Sequence, residues 1–288
     1  MKKFFIVTVS RSSILFYFIT IPVLVFSAIL CFSILPGRAM YTTAGVKSPD
    51  DGRSAEAGGK LAIIIDDFGS GRDGVDEMMS IKEHLTFAVM PFLDNTLEDA
   101  ELAHGHGHEV IVHLSMEPNS GKRSWLGPRP ILAGMDADEV RKIVRDSFDS
   151  VPYAAGANIH MGSRASNEED IMSAVLDVIK EKGLYFVDSR TANRPKAKKI
   201  SITKGVLCYE RDVFLDGQQP KSFITDRLEK AAEVALKKGH AIAAGHVGQE
   251  GGKVTADAIN EMLPEFRKRN IELVYISELN EGVVMEQN

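Results

Sequence analysis

The segment IIIDDFG, residues 63–69, ends an apolar run on two adjacent carboxylates, Asp66 and Asp67, with Gly69 close behind. Such a run reads as a strand buried on both faces, the kind found in parallel sheets covered by helices. Two anions at the end of it are costly unless a cation or a proton lies between them. One carboxylate binding a metal and the other taking a proton is the chemistry that resolves this conflict.

Titratable groups recur where other apolar runs end: His113 in HLSMEP, His160 in NIHMGSR, Asp188 with Arg190 in FVDSRT, and His246 in AIAAGHVG. Taken singly, a histidine after a strand is most often a hydrogen-bonded structural residue. Recurrence at strand after strand is harder to explain that way, because parallel strands alternating with helices bring these ends to one face, where active sites form. Period-two alternation sends Ile63, Ile65 and Asp67 to one side of the first strand and Ile64 and Asp66 to the other. With the first set pointing inward, Asp67 is the natural metal ligand, and Asp66 reaches the mouth only if the strand twists at Gly69. His113 and Glu117 are spaced as neighbours on a helical face, but Pro118 pushes Glu117 out of the helical region. Glu117 and His160 are therefore rival third ligands beside Asp67 and His113. Oxygen and imidazole donors suit a divalent metal, with Zn²⁺ expected first.

The elements that must position these groups are legible as apolar runs at 61–66, 85–90, 109–114, 154–160, 184–188, 205–209, 241–245 and 271–276. Helical segments fit between most of them. Asp136 with Glu139 and Ser166 with Glu169 have capping-box spacing, while Pro220 and Gly239 suit the two ends of one long helix. This alternation suggests an α/β barrel of about seven parallel strands, with an open doubly wound sheet as the alternative. His104, His106 and His108 precede a strand, so they belong to the opposite end of the barrel. Trp125, in the Gly- and Pro-containing segment GKRSWLGPRP, is the better aromatic platform for a ring-shaped ligand. Phe214 in RDVFLD reads as core, and Tyr153 is a further aromatic candidate. Asp212 and Asp216 bracket Phe214 as supporting partners or turn formers.

Residues 1–40 are a different material. Lys2, Lys3 and Arg11 precede an almost uncharged run at 14–35, long enough to cross a bilayer of roughly 30 Å, and read as a signal peptide or a membrane anchor. The positive charges place the remainder outside the cytoplasm, in the periplasm or a comparable compartment. Residues 41–59 read as a flexible tether and 60–288 as the folded domain. A net charge of −6 without a Lys/Arg stripe excludes nucleic acid as the partner class. Cys31 lies in the apolar run and Cys208 in the domain, so the exported part has no internal disulfide.

Taken together, IIIDDFG, HLSMEP, NIHMGSR, FVDSRT, RDVFLD and AIAAGHVG resemble the divergent polysaccharide deacetylases, a bacterial envelope branch of the NodB-like carbohydrate esterases. The resemblance covers about residues 60–281. It implies a distorted (β/α) barrel, usually of seven strands, and metal-dependent removal of acetyl groups from N-acetylated sugars. By the same resemblance Asp66 is the general base, Asp67 and His113 are metal ligands, and His246 is the acid that protonates the leaving amine. Glu117 stands where the family has a second histidine, and Arg164 or Arg190 replaces an arginine motif that is not recognisable. A glycan is the expected substrate, peptidoglycan among the choices, with the membrane engaged only through the N-terminal segment. Two other readings remain open: an envelope binding or regulatory protein that kept the barrel without hydrolysis, and a metal hydrolase of another amide or ester.

Overall fold

The computed structural model describes residues 58–191, 196–218, 220–248 and 251–280. The expected signal or anchor, 1–40, and all but the last two residues of the expected tether lie outside the described residues. Among the described residues, no helix is long and apolar enough to cross a membrane.

The strands are β1 (Gly59–Phe68), β2 (Thr86–Val89), β3 (Glu109–Met116), β4 (Ala154–Met161), β5 (Tyr185–Asp188), β6 (Cys208–Glu210), β7 (Val213–Phe214), β8 (His240–His246) and β9 (Ile271–Leu273). The helices are α1 (Val75–Met79), α2 (Thr96–Gly105), α3 (Ala137–Ser150), α4 (Glu169–Lys182), α5 (Ala197–Lys204), α6 (Lys221–Lys238) and α7 (Gly252–Lys268). All eight strands expected from the apolar runs are present, and the strand-like RDVFLD contributes β7.

The strands pair in parallel in the order β6-β5-β4-β3-β2-β1-β8-β7, and β9 pairs with the start of β1. The two ends of this path, β6 and β7, are consecutive in the chain and separated by Arg211 and Asp212. The Arg211 amide donates to Asp188 O of β5, whereas the Asp212 amide donates to Ile242 O of β8. One short segment thus switches partners and joins the two ends of the path, and the sheet curls into a distorted (β/α) barrel.

Two apolar layers follow from the alternation of each strand. Leu61, Ile63, Ile65, Val110, Val112 and Phe186 pack outward under the helices. Ala62, Ile64, Ala88, Ile111, Val187, Ile242 and Ala244 fill the lumen, with Val274 and Ile276 among them from the segment after β9. Burying a side chain of the Ile or Phe class contributes roughly 1.5–3 kcal/mol, so each layer is a large favourable term in folding. The inward set of β1 is Ala62 and Ile64, not Ile63 and Ile65, which corrects the parity expected from the sequence.

The helix ends follow the expected signals with one exception. Asp136 caps α3 by accepting from the Asp138 amide at 2.8 Å, and α6 runs from Pro220 to a left-handed Gly239. Ser166 does not cap α4: it sits in a 3₁₀ turn (Ala165–Asn167), its hydroxyl donates to Gly162 O, and Glu168 is the N-cap.

Candidate active site

Two bulges decide which side chains reach the barrel mouth. Ile65 of β1 pairs with Phe87 and Phe68 with Val89, so Asp66 and Asp67 together oppose Ala88 alone. Asp67 has φ 73°, a left-handed conformation that aspartate adopts more readily than most side chains, at a cost of about 1 kcal/mol. The extra residue and the reversed φ break alternation, and both carboxylates face the same cavity. The twist lies at Asp67 itself, ahead of the expected Gly69.

The second bulge is in β4, where Val110 pairs with Ala154 and Val112 with Ala157. Ala155 faces the lumen, but beyond the bulge Ala157 and Ile159 face outward, which turns Asn158 and His160 inward. Gly156 sits within it, and a Cβ there would stand 2.5 Å from the Tyr185 ring.

Asp67, His113 and His160 each turn one ligand atom toward the others, all within 4.8 Å. His113 Nε2 is 3.2 Å and His160 Nδ1 is 2.9 Å from Asp67 Oδ1. The outer nitrogen of each ring is anchored to an oxygen: His113 Nδ1 to Asn158 Oδ1 at 2.6 Å, and His160 Nε2 to Trp125 O at 3.1 Å. With an acceptor at each outer nitrogen, the inner nitrogens are the ones turned toward Asp67 and free to bind a cation there. Asp67 Oδ1 and His113 Nε2 are buried without a hydrogen-bond partner, although polar atoms at such depth are nearly always paired. Burial would raise the Asp67 carboxyl, yet the adjacent His113 and His160 rings hold it well below the usual carboxylate range. Burial opposes charge on His113, while Asp66 and Asp67 raise its pKa. Two imidazoles and a carboxylate aimed at one point fit a divalent metal with coordination positions left open.

Glu117 does not join this group. Its Oε1 accepts from Arg164 at 2.7 Å and its Oε2 from the Ala133 amide at 2.8 Å, because β3 ends at Met116 and the chain turns away. The structure thus places His160, and not Glu117, beside Asp67 and His113.

Asp66 Oδ1 accepts from Asn158 Nδ2 at 2.7 Å, and its Oδ2 lies 4.0 Å from His246 Nε2. Asp66 and His246 are register partners across β1 and β8. His246 Nδ1 donates to Asp216 Oδ1 at 2.8 Å, leaving Nε2 toward the cavity. Asp216 is fixed in turn by the His246 amide at 2.6 Å and the Thr255 hydroxyl at 2.9 Å. Burial disfavours charge on His246, but the bond and charge of Asp216, with Asp66 and Asp67 beyond, raise its pKa to about 10.

Asp188 and Arg190 do not line the cavity: Asp188 Oδ1 accepts from the Arg190 amide at 2.7 Å, and Arg190 is exposed. Nor does Arg164, held by Glu117. Among the described residues, the arginine at the cavity is Arg211, whose Nε and Nη2 donate to Ser189 O at 2.9 and 2.7 Å. Burial lowers its pKa and the Asp66 charge opposes that. No spacing marks Arg211 in the sequence, because its direction follows from the partner switch between β6 and β7. Phe214, expected in the core, lines the cavity edge-on to His246, with ring centroids 5.2 Å apart. Asp216 is the supporting partner of the RDVFLD pair; Asp212 instead accepts from Lys238 and the Ile242 amide.

Trp125, on a 3₁₀ turn (Arg123–Leu126), stands at the rim of an adjoining cavity of about 420 Å³ that also reaches Asp67 and His160. Tyr153 lies elsewhere, stacked on His104 at the end of α2 at 4.0 Å, and His108 is buried against Phe87 at 4.3 Å. The GHGH segment is thus structural packing away from the mouth.

The profile of the family described as divergent polysaccharide deacetylase matches residues 63–280. The uncharacterized protein YibQ of Escherichia coli is 33% identical over 207 residues, 72% of this chain and 64% of that protein. An uncharacterized protein of Haemophilus influenzae is 31% identical over 187 residues, 65% of this chain and 66% of its own. The chain therefore spans just under two-thirds of the length of these relatives. In the crystal structure of an uncharacterized protein from Agrobacterium tumefaciens, the same fold matches with TM-score 0.68 and 24% identity, covering 79% of this chain and 91% of that one.

Proposed function

The chain belongs to the divergent polysaccharide deacetylases, and from that premise we propose that it is a metal-dependent hydrolase of the bacterial envelope that removes N-acetyl groups from a glycan. The observation that carries this reading is the meeting of three metal-type donors, Asp67, His113 and His160, with a carboxylate and an imidazole, Asp66 and His246, in one cavity.

Asp67 Oδ1, His113 Nε2 and His160 Nδ1 would hold the cation, with zinc the first choice for this donor set. A divalent cation so held supplies Lewis acidity toward a carbonyl oxygen and toward water. Asp66, steadied at one oxygen by Asn158, accepts the proton of the attacking water through the other. His246 carries its mobile proton on Nε2, because Asp216 occupies Nδ1, and delivers it to the departing amine nitrogen. Burial opposes charge on that ring, but the Asp216 bond raises its pKa and so favours the protonated form that an acid needs. Arg211 and Phe214 wall the site, and Trp125 offers an exposed face for a sugar ring.

Residues 1–40 serve in this reading to export or anchor the domain, which meets its glycan, peptidoglycan among the candidates, outside the cytoplasm. Acetate release from N-acetylated glycan fragments by the zinc-loaded protein is the direct test. Release that disappears with chelator and returns with metal is expected. Glycan binding without release from any acetylated fragment would replace hydrolysis with a binding role.

A further inference from the structure

Arg123 and Leu126 of the 3₁₀ turn line a further cavity of about 250 Å³, while Ser124 and Trp125 of the same turn line the cavity of about 420 Å³ that reaches Asp67 and His160. Lys122, Arg123 and Arg164 line the smaller cavity, against one acidic side chain, Glu117. Both Glu117 oxygens are engaged, Oε1 by Arg164 and Oε2 by the Ala133 amide, so its charge is matched within the wall. Lys122 and Arg123 have no ion-pair partner among the described residues; the Lys122 ammonium lies 5.6 Å from the Trp125 ring. Two uncompensated cations in one cleft stand out on a chain of net charge −6.

The cleft is built before any ligand arrives. The Asn119 amide donates to Ser163 Oγ and Asn119 Nδ2 to Ser163 O, both at 3.0 Å, stitching this loop to the end of β4. A Cβ on Gly121, at φ 137°, would stand 3.0 Å from Met161 Cε and 3.5 Å from the Trp125 ring, so the loop packs directly on residues that line the mouth. Guanidinium and ammonium groups lining a preformed pocket favour a carboxylate or phosphate oxygen.

We propose that this cleft is an anion subsite: it takes a carboxylate or phosphate on the sugar next to the one lying against Trp125, and so selects acidic glycans. This inference rests on the glycan reading given above and deepens it. Bound that way, the substrate runs from this cleft past Trp125 to the metal-type cluster, with its anion on Lys122 and Arg123 and its acetylated residue at Asp66 and His246.

The test uses the full chain and three N-acetylated oligosaccharides of equal length: one neutral, one bearing a single uronic carboxylate, and one bearing a single phosphate. Binding is read by calorimetry, with the fluorescence of Trp125, the chain's one tryptophan, reporting on the rim. At low salt at least one acidic oligomer should bind about tenfold tighter than the neutral one, an advantage that shrinks as salt screens the cations. The exposed double variant Lys122→Gln, Arg123→Gln should bring the acidic and neutral oligomers to within about twofold of each other, as expected when charge-assisted contacts are lost. The arm that keeps the advantage identifies the anion. Equal binding of all three by the wild type, no binding of any, or an undiminished preference in the double variant would each overturn the proposal. Acidic preference without acetate release would leave the subsite standing and remove the hydrolase; acetate release at the same kcat/KM from neutral and acidic oligomers would do the reverse.

Discussion

Asp66 and His246 are register partners on β1 and β8, and their side chains face each other with Oδ2 and Nε2 4.0 Å apart. Neither is among the three convergent donors of the metal-type cluster. Asp66→Asn and His246→Ala should therefore keep the metal and the fold while lowering acetate release by about 10²- to 10⁴-fold, the usual contribution of a general base or acid. Turnover equal to wild type in either variant would remove that residue from the mechanism.

Asp67, His113 and His160 carry the expected ligand atoms, whereas Glu117 is committed to Arg164 and the Ala133 amide. Alanine at any of the first three should abolish stoichiometric zinc by elemental analysis, because one of only three protein ligands is lost. Glu117→Ala should retain zinc; loss of metal from that variant with full metal in His160→Ala would reverse the assignment.

Asn158 links the two halves of the site, accepting from His113 Nδ1 and donating to Asp66. Asn158→Ala should weaken zinc about 10- to 100-fold, as loss of a partner that orients a ligating histidine does. Competition with a chromophoric chelator measures this directly. Zinc affinity unchanged from wild type would show that His113 keeps its orientation without Asn158.

His108 is buried against Phe87, and burial, helped by the nearby His106, His84 and Lys82, lowers its pKa to about 4. The unfolded ring titrates near 6.5, so below that pH the unfolded state binds the extra proton and stability falls until the folded ring also titrates. The contribution is complete above about pH 6.5, and roughly 3 kcal/mol of it is lost by pH 4, at 1.36 kcal/mol per pKa unit. Urea midpoints at pH 7.5 and 4.5 should fall further apart for wild type than for His108→Phe. Equal separations would show that His108 does not drive acid sensitivity.

Strand positions, the alternation with helices and the barrel were legible because burial on both faces forces long apolar runs and because helix ends need caps. His113 and His246 could likewise be placed at the mouth, as polar residues ending runs that must pack. Ser166 misled because the hydroxyl that looked like a cap found a carbonyl in a 3₁₀ turn instead.

What the linear pattern left open was direction. A single extra residue in β1 turned both Asp66 and Asp67 into one cavity, and another in β4 turned Asn158 and His160 inward. Side-chain direction along a strand has a period of two, so one bulge reverses every residue beyond it, and where it falls depends on neighbours such as Tyr185 packing on Gly156. The chain by itself determined which residue types were available to the site and roughly at which end of the barrel. The third metal-type donor, the arginine at the cavity and the partner of His246 were decided by strand pairing between segments far apart in the sequence.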